Sequence, residues 1–483
     1  MKPAFHNMLT PPPPPPLAVS IRTLARKRSH PARRLALGLL AAATLGGCAV
    51  TEPLVRPDIA LPTAWSERAD SAPASLPDTW WQSFGSPRLD TLVAEALASA
   101  PDLRIQAERV VQAELALRQA GASLLPSLAL GGGSGVQNAE GDESGSTSAS
   151  LNARYEIDLW GRLAASRDAS RAALAATRFD REAARLSMAA NVATLWFQSL
   201  TLAERIDIAH QNLAIAERVL RVVHARYDNG AASALELSQQ RSTVLAQRKA
   251  IEPLEVSLRQ TRSALAILLG RTPQTGVAAS ARLAELHVPL IDAGLPSELL
   301  LRRPDIAASE AALAAAAANL AAARAALLPA ISLSAGAATS SAELLALAGR
   351  NSVLSLSASL LQTIFDGGRL AADVDIQRSR QRELLEAHRQ TVLTALKEVE
   401  DALANTARDA RQESAQHEIL AEARRSLRLS ELRYREGADG LLAVLDAQRT
   451  LFAAQDQLVQ LRLARLSGAV DLYRALGGGW QAQ

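Results

Sequence analysis

The chain of 483 residues has a single cysteine, Cys48. An intrachain disulfide and any paired-cysteine metal or redox motif are therefore excluded. Aromatic residues make up only 3%, so the large side chains that fill thick globular cores are scarce. No stretch beyond residue 50 holds about 18 consecutive apolar residues, which argues against a spanning helix there. The phosphate-binding GxxxxGK loop, HExxH and GxSxG are all missing, and the seven histidines are scattered. His210 and His224, fourteen apart on one helical stretch, make no ligand pair. No catalytic or cofactor-holding constellation is visible.

Charge of one sign is also missing. The formal net charge is +3, but residues 1–47 carry seven basic and no acidic residues, leaving 45 basic and 49 acidic in the rest. The basic pI thus gives little support for nucleic-acid binding.

What is present begins with a leader. Arg26–Arg28, Arg33 and Arg34 precede the short apolar run Leu35–Leu45, and Leu45-Gly46-Gly47-Cys48 follows. This is the layout of a secretory signal over 1–47. The run Pro11–Pro16 would form a stiff polyproline II stretch ahead of it, which suggests a translation start downstream of that run. Leu-Gly-Gly-Cys resembles the lipobox of bacterial lipoproteins. That resemblance implies cleavage before Cys48 and acylation of it, with Val50 in place of an inner-membrane retention signal.

The remainder is one unit written twice. GRLAA at 161–165 recurs at 368–372, RYDNG at 226–230 matches RYREG at 433–437, and Leu269-Gly270 matches Leu476-Gly477. All three pairs share an offset of 207 residues, while the Leu-Leu-Pro stretches near 124 and 327 differ by 203. Each copy reads as a helix (about 87–122, then 304–327), a strand (127–138, then 330–340), a second strand (147–160, then 352–366), a very long helix (165–228, then 369–435) and a returning helix. Pro253 is expected to break the first returning helix.

In SASLNARYEIDLWG, residues 148–161, apolar and polar residues alternate strictly, and 353–360 and 331–336 repeat the alternation with Leu, Ile or Ala against Ser. One oily and one wet face suit a membrane barrel; a half-buried sheet in a soluble domain gives the same pattern. Four strands are too few to close a useful barrel, so a barrel would have to be shared, with three copies supplying twelve strands. Arg154, Glu156 and Asp158 then belong to the lower barrel lumen, since charges facing lipid are costly.

Taken in order, DTWWQSFGSPRLDTLVAEAL (78–97), YEIDLWGR (155–162), LLRRPDIAASEAAL (300–313), IFDGGR (364–369), LLAVLDAQRTL (441–451) and DLYRALGGGW (471–480) resemble the outer-membrane factor family of the TolC type. The resemblance is to its lipoprotein (NodT-type) branch, which serves resistance-nodulation-division efflux systems, and it spans Cys48 to Trp480. It implies a mainly α fold with transmembrane β: a homotrimer with a 12-stranded barrel in the outer membrane above a 12-helix periplasmic tunnel. The implied layout is a lipidated equatorial segment at 48–86, repeats at 87–270 and 304–477, an equatorial linker at 271–303 and a tail at 478–483. It also implies a periplasmic adaptor, an inner-membrane pump of the resistance-nodulation-division type, and the outer-membrane lipid as partners. No enzymatic activity, cofactor or metal is implied.

The same resemblance makes Leu442 and Asp446 the rings that close the periplasmic end, and the helix tips at Tyr227, Gly230, Tyr434 and Gly437 the adaptor docking sites. From the residues alone, Asp446 could instead lie on a solvated helix face or pair with Arg449, Leu442 could be coiled-coil packing, and the two tyrosines could hold the tips closed through hydrogen bonds or simply pack the tips. Gln239 stands where the second repeat has Asp446, so the first tip lacks the carboxylate. A type I protein-secretion duct and a surface-anchored coiled coil without a pore are the competing functional readings.

Overall fold

The computed structural model describes residues 59–67, 76–139, 142–276, 282–342, 345 and 351–480. All lie within the unit Thr51–Gln483. The leader and Cys48 lie outside the described residues.

The first repeat contains helices α1 (Pro87–Ser99) and α2 (Pro101–Ala122), strands β1 (Ser127–Ala139) and β2 (Asp142–Ile157), the long helix α3 (Arg162–Asp228) and the returning helix α4 (Ala234–Leu268). The second contains α5 (Pro304–Ala325), β3 (Ala330–Ser341), β4 (Asn351–Leu361), α6 (Arg369–Arg435) and α7 (Leu441–Ala475). Both long helices have 67 residues and both returning helices 35. At a rise of ~1.5 Å per residue each long helix extends roughly 100 Å.

Two prolines act in opposite ways, and neither as the sequence suggested. The helix expected over 87–122 is interrupted at Ala100, whose ψ of 127° is extended, as the residue before Pro101 tends to be. Pro101 then restarts a helix at its first turn, where its missing N–H is not needed. Pro253, by contrast, sits inside α4 without ending it. Its ring is exposed, as is Lys249 four residues earlier, whose carbonyl loses its N–H partner. The packing of α4 against α3 outweighs a penalty of about 3 kcal/mol.

The strands form one antiparallel meander in the order β1-β2-β3-β4. The repeats join at its centre, where Arg154 faces Ser334 and Tyr155 faces Leu333. One face is aliphatic and exposed, with Leu354 at 86%. The other carries serine pairs: Ser332 with Ser359 at 2.7 Å and Ser334 with Ser357 at 2.8 Å between hydroxyls. Strands β2 and β4 stop earlier than the alternation suggested, at Ile157 and Leu361. Asp158 leaves the ladder to accept the N–H groups of Leu163 and Ala164, at 3.0 and 2.7 Å. Asp366 does the same for Gly368 and Leu370, both at 3.0 Å. Each carboxylate thus caps the start of a long helix, where the dipole favours negative charge.

Helix α5 is long and apolar enough to cross a membrane by composition. It packs instead along α3 and α6, with Leu313 and Leu320 buried.

The main core lies midway along the long helices. Trp80 stacks on Tyr473 with ring centroids 5.2 Å apart, and Phe84 meets Phe197 at 5.0 Å. Backbone and side chains from the start, middle and end of the chain close around it. His287 N–H donates to the Phe84 carbonyl at 3.1 Å, the Trp65 indole donates to the Gly294 carbonyl at 2.9 Å, and Arg271 pairs with Glu95 at 2.5 Å. Arg303, only 7% exposed, donates to Asp305 at 2.6 Å, to Glu398 at 2.7 Å and to the Ala475 carbonyl at 2.9 Å. A second apolar cluster, including Val223, Leu427, Tyr434 and Val444, lies at the far ends of the long helices.

Candidate functional site

The tips are built by the same turn in both repeats. The Gly230 N–H bonds the Tyr227 carbonyl at 2.9 Å and the Ala231 N–H bonds the Arg226 carbonyl at 2.7 Å. Gly437 and Ala438 repeat this on Tyr434 and Arg433, at 3.1 and 2.8 Å. These are Schellman turns, which need a left-handed residue after the helix; Gly230 has φ +73° and Gly437 φ +71°.

The turns then diverge. Ser233 and Glu236 form a reciprocal capping box at the start of α4, worth about 1 kcal/mol. The second repeat has Gly440 in the position of Ser233. Its loop is closed by an ion pair between Arg433 and Asp439. The Arg433 hydrogen bond holds the Asp439 carboxyl below the ordinary carboxylate range.

The two tyrosines also part company. Tyr227 is exposed, while Tyr434 is 3% exposed and belongs to the tip cluster. Arg226 crosses from the first tip to the second. Its guanidinium carbon lies 4.7 Å from the Tyr434 ring centroid, and Nη1 donates to the Tyr434 carbonyl. The Tyr434 hydroxyl is buried and has no hydrogen-bond partner among the described residues. Burial, with Glu236 nearby, raises its pKa against the opposing effect of Arg226. Tyr434 therefore packs the tip through its ring.

Leu442 stands 69% exposed on the first turn of α7. Asp446, one turn on, is exposed and pairs with Arg449 at 2.5 Å, so the ion pair weighed from the sequence forms within the chain. Leu235 takes the equivalent exposed position in the first repeat, and Gln239 is half-buried. The six tip residues named from the sequence gather at one end of the helix pairs. Arg226 and Asp439 were missed; both lie in or beside the repeated Arg-Tyr motif, which was the available signal.

Arg154, Glu156 and Asp158 lie at the other end of α3. Arg154 and Glu156 occupy the serine face of the sheet. Arg162 Nη2 reaches both Glu156 oxygens, at 2.8 and 2.9 Å. Asp158 lies beyond the last residue of β2 and caps α3, so it is a helix-capping group rather than a strand residue. Among the described residues, no three His, Cys, Asp or Glu side chains gather as a metal site.

Known proteins share this organisation. A sequence model of the outer membrane efflux protein family matches residues 92–271 and 295–478. The pyoverdine export outer membrane protein OpmQ of Pseudomonas aeruginosa is 43% identical over 452 residues, covering 91% of this chain and 95% of OpmQ. The cation efflux system protein CusC of Escherichia coli K12 is 33% identical over 449 residues, covering 91% and 98%. A solved CusC structure superposes with a TM-score of 0.81 at 31% identity, covering 89% of this chain and all of that one. The open-state MtrE channel of Neisseria gonorrhoeae gives 0.80 at 29%, covering 89% and 98%. The duplicated strand–strand–long-helix unit, matched by one family along both copies and by relatives of nearly equal length, makes this chain a member of the outer membrane efflux protein family, whose proteins are outer-membrane efflux channels.

Proposed function

We propose that three copies of the chain close into a passive conduit, the outer-membrane part of a tripartite efflux pump. The observation that carries this is the four-stranded sheet. It has one aliphatic exposed face and ends in two edges, β1 and β4, with no neighbouring strand among the described residues. Unpaired backbone groups are not tolerated in lipid, so the edges call for further strands. Joining β1 of one copy to β4 of the next gives twelve strands with the leucines on lipid and the serines inside.

The long helices then extend into the periplasm and end at the tips. Leu442 and Asp446 would meet their symmetry mates there and narrow the entrance, and Arg449 would moderate the carboxylates without removing them. The Schellman turns at Gly230 and Gly437, with Tyr227 exposed beside them, would dock a periplasmic adaptor that couples the conduit to an inner-membrane pump of the resistance-nodulation-division type. Acylated Cys48 would anchor the chain in the outer membrane. The work of transport falls to the pump, and the chain needs neither catalysis nor a cofactor. OpmQ exports pyoverdine and CusC belongs to a cation efflux system; for this chain the cargo is proposed only as small solutes.

The test is the mass and conductance of the purified protein. A particle of three chains that conducts in planar bilayers supports the conduit. A folded particle of that size that never conducts contradicts it and favours a surface-anchored structural protein.

A further inference from the structure

The serine face of the sheet is built almost wholly from small uncharged side chains. The row Ser127–Arg154–Ser334–Ser357 and the short row Glu156–Ser332–Ser359 form its base. The rows above, through Asn152 and Ser150, carry only Gly, Ala, Asn, Ser and Val. The next ionisable positions along β2 are Glu143 and Asp142, eleven and twelve residues away, on the order of 35–40 Å at strand spacing.

The charges at the base are nearly all engaged. Glu156 is held by Arg162. Asp158 and Asp366 accept helix N–H groups, and Arg369 pairs with Asp366 at 3.9 Å. Arg154 is the exception. Its side chain is exposed and makes no ion pair or hydrogen bond among the described residues. It borders a cavity of about 680 Å³ whose lining also includes Gln119, Ser123, Ser127 and Ser334, hydroxyl and amide groups that can hydrogen-bond an anion, together with the Glu156 carboxylate, which Arg162 neutralises.

We propose that Arg154 sets the charge preference of the exit barrel, favouring anionic solutes that carry a carboxylate, sulfonate or phosphate group. This rests on the trimeric conduit: three copies place three unpaired guanidinium groups around the inner mouth of the barrel. Rings of Arg or Lys select anions in pores, and a guanidinium fork matches planar carboxylates and phosphates. The conduit then presents carboxylates of Asp446 at the entrance and arginines at the base of the exit barrel, roughly one long helix apart.

The experiment measures the anion-to-cation permeability ratio from reversal potentials across a KCl gradient. The background is the Leu442→Ala/Asp446→Ala double variant, which removes the entrance ring. Low salt is used because the Debye length is ~30 Å at 0.01 M and only ~3 Å at 1 M. The background should favour chloride at low salt and lose that preference near 1 M. Arg154→Gln should lower the ratio by about twofold or more at low salt, where a ring of charges is least screened. Arg154→Lys should retain it. Glu156→Gln, which frees Arg162, should move it further toward anions. A ratio unmoved by Arg154→Gln in conducting trimers overturns this inference and leaves the conduit standing. Verified trimers that conduct in no variant overturn both.

Discussion

The guanidinium of Arg226, on the tip of the first long helix, covers the ring of Tyr434 on the tip of the second, 4.7 Å from its centroid. It also donates to the Tyr434 backbone carbonyl. A cation over a ring contributes about 0.5–2 kcal/mol, so the two tips of one chain are tied to each other.

The Tyr434 hydroxyl contributes nothing to this tie, because it is buried without a partner among the described residues. Tyr434→Phe should leave the thermal midpoint unchanged or raise it, since a buried unpaired hydroxyl is a cost. Tyr434→Ala should destabilise by about 3 kcal/mol or more. A clear loss in Tyr434→Phe would reveal a hydrogen bond that this geometry lacks.

Glycines with similar dihedrals should respond very differently to alanine. At Gly437 (φ +71°) nothing stands within 4 Å of an added Cβ, so Gly437→Ala pays only left-handed backbone strain, about 1–2 kcal/mol. At Gly477 (φ +88°) a Cβ would lie 1.8 Å from the Arg302 carbonyl oxygen. Gly477→Ala should therefore cost more than about 3 kcal/mol or abolish folding. Equal denaturation midpoints for the two variants would refute the distinction.

Arg303 gathers two carboxylates and the last carbonyl of α7, that of Ala475, at the mid-level core. Arg303→Met should cost roughly 2–3 kcal/mol, less than the 3–5 typical of a fully buried pair, because Asp305 and Glu398 remain partly hydrated. Arg303→Lys should recover only part of this, since an ammonium cannot reproduce the fork. Urea denaturation of the three proteins would decide it; a lysine variant as stable as the native chain would contradict the account.

Joined edges in a barrel predict cross-links between copies. With Leu130→Cys on β1 combined in turn with Leu354→Cys, Leu356→Cys or Ala358→Cys on β4, at least one pair should oxidise into covalent trimers. Disulfides form only when Cα atoms approach within about 7 Å. Monomers throughout, from protein that is folded and membrane-inserted, would exclude this edge pairing.

The repeated motifs made the fold legible. The long helices end where the sequence placed them because Asn-Gly and Glu-Gly supply left-handed residues, which almost nothing else supplies as readily. The strands were visible because a period of two survives even in Ser- and Ala-rich segments. Proline was ambiguous: Pro101 broke a helix and Pro253 did not, and only the packing around each distinguishes them. The charged stretches hold contacts that their spacing does not reveal. Asp158 follows the strand alternation in sequence, yet its nearest unsatisfied donors belong to the next helix. Arg303 looked like part of a family signature, while its partners Glu398 and Ala475 lie 95 and 172 residues away. Arg226 sits beside a tyrosine that drew attention for its motif; its actual partner is the other repeat's tyrosine.

The central claim is a conduit closed at the Leu442 and Asp446 tips. It is tested most directly by single-channel conductance of verified trimers in planar bilayers, comparing the native chain with Leu442→Ala and Asp446→Ala. The account predicts a small, cation-favouring native conductance that rises in both variants, with the cation preference reduced in Asp446→Ala. The same conductance and selectivity in all three proteins would contradict it.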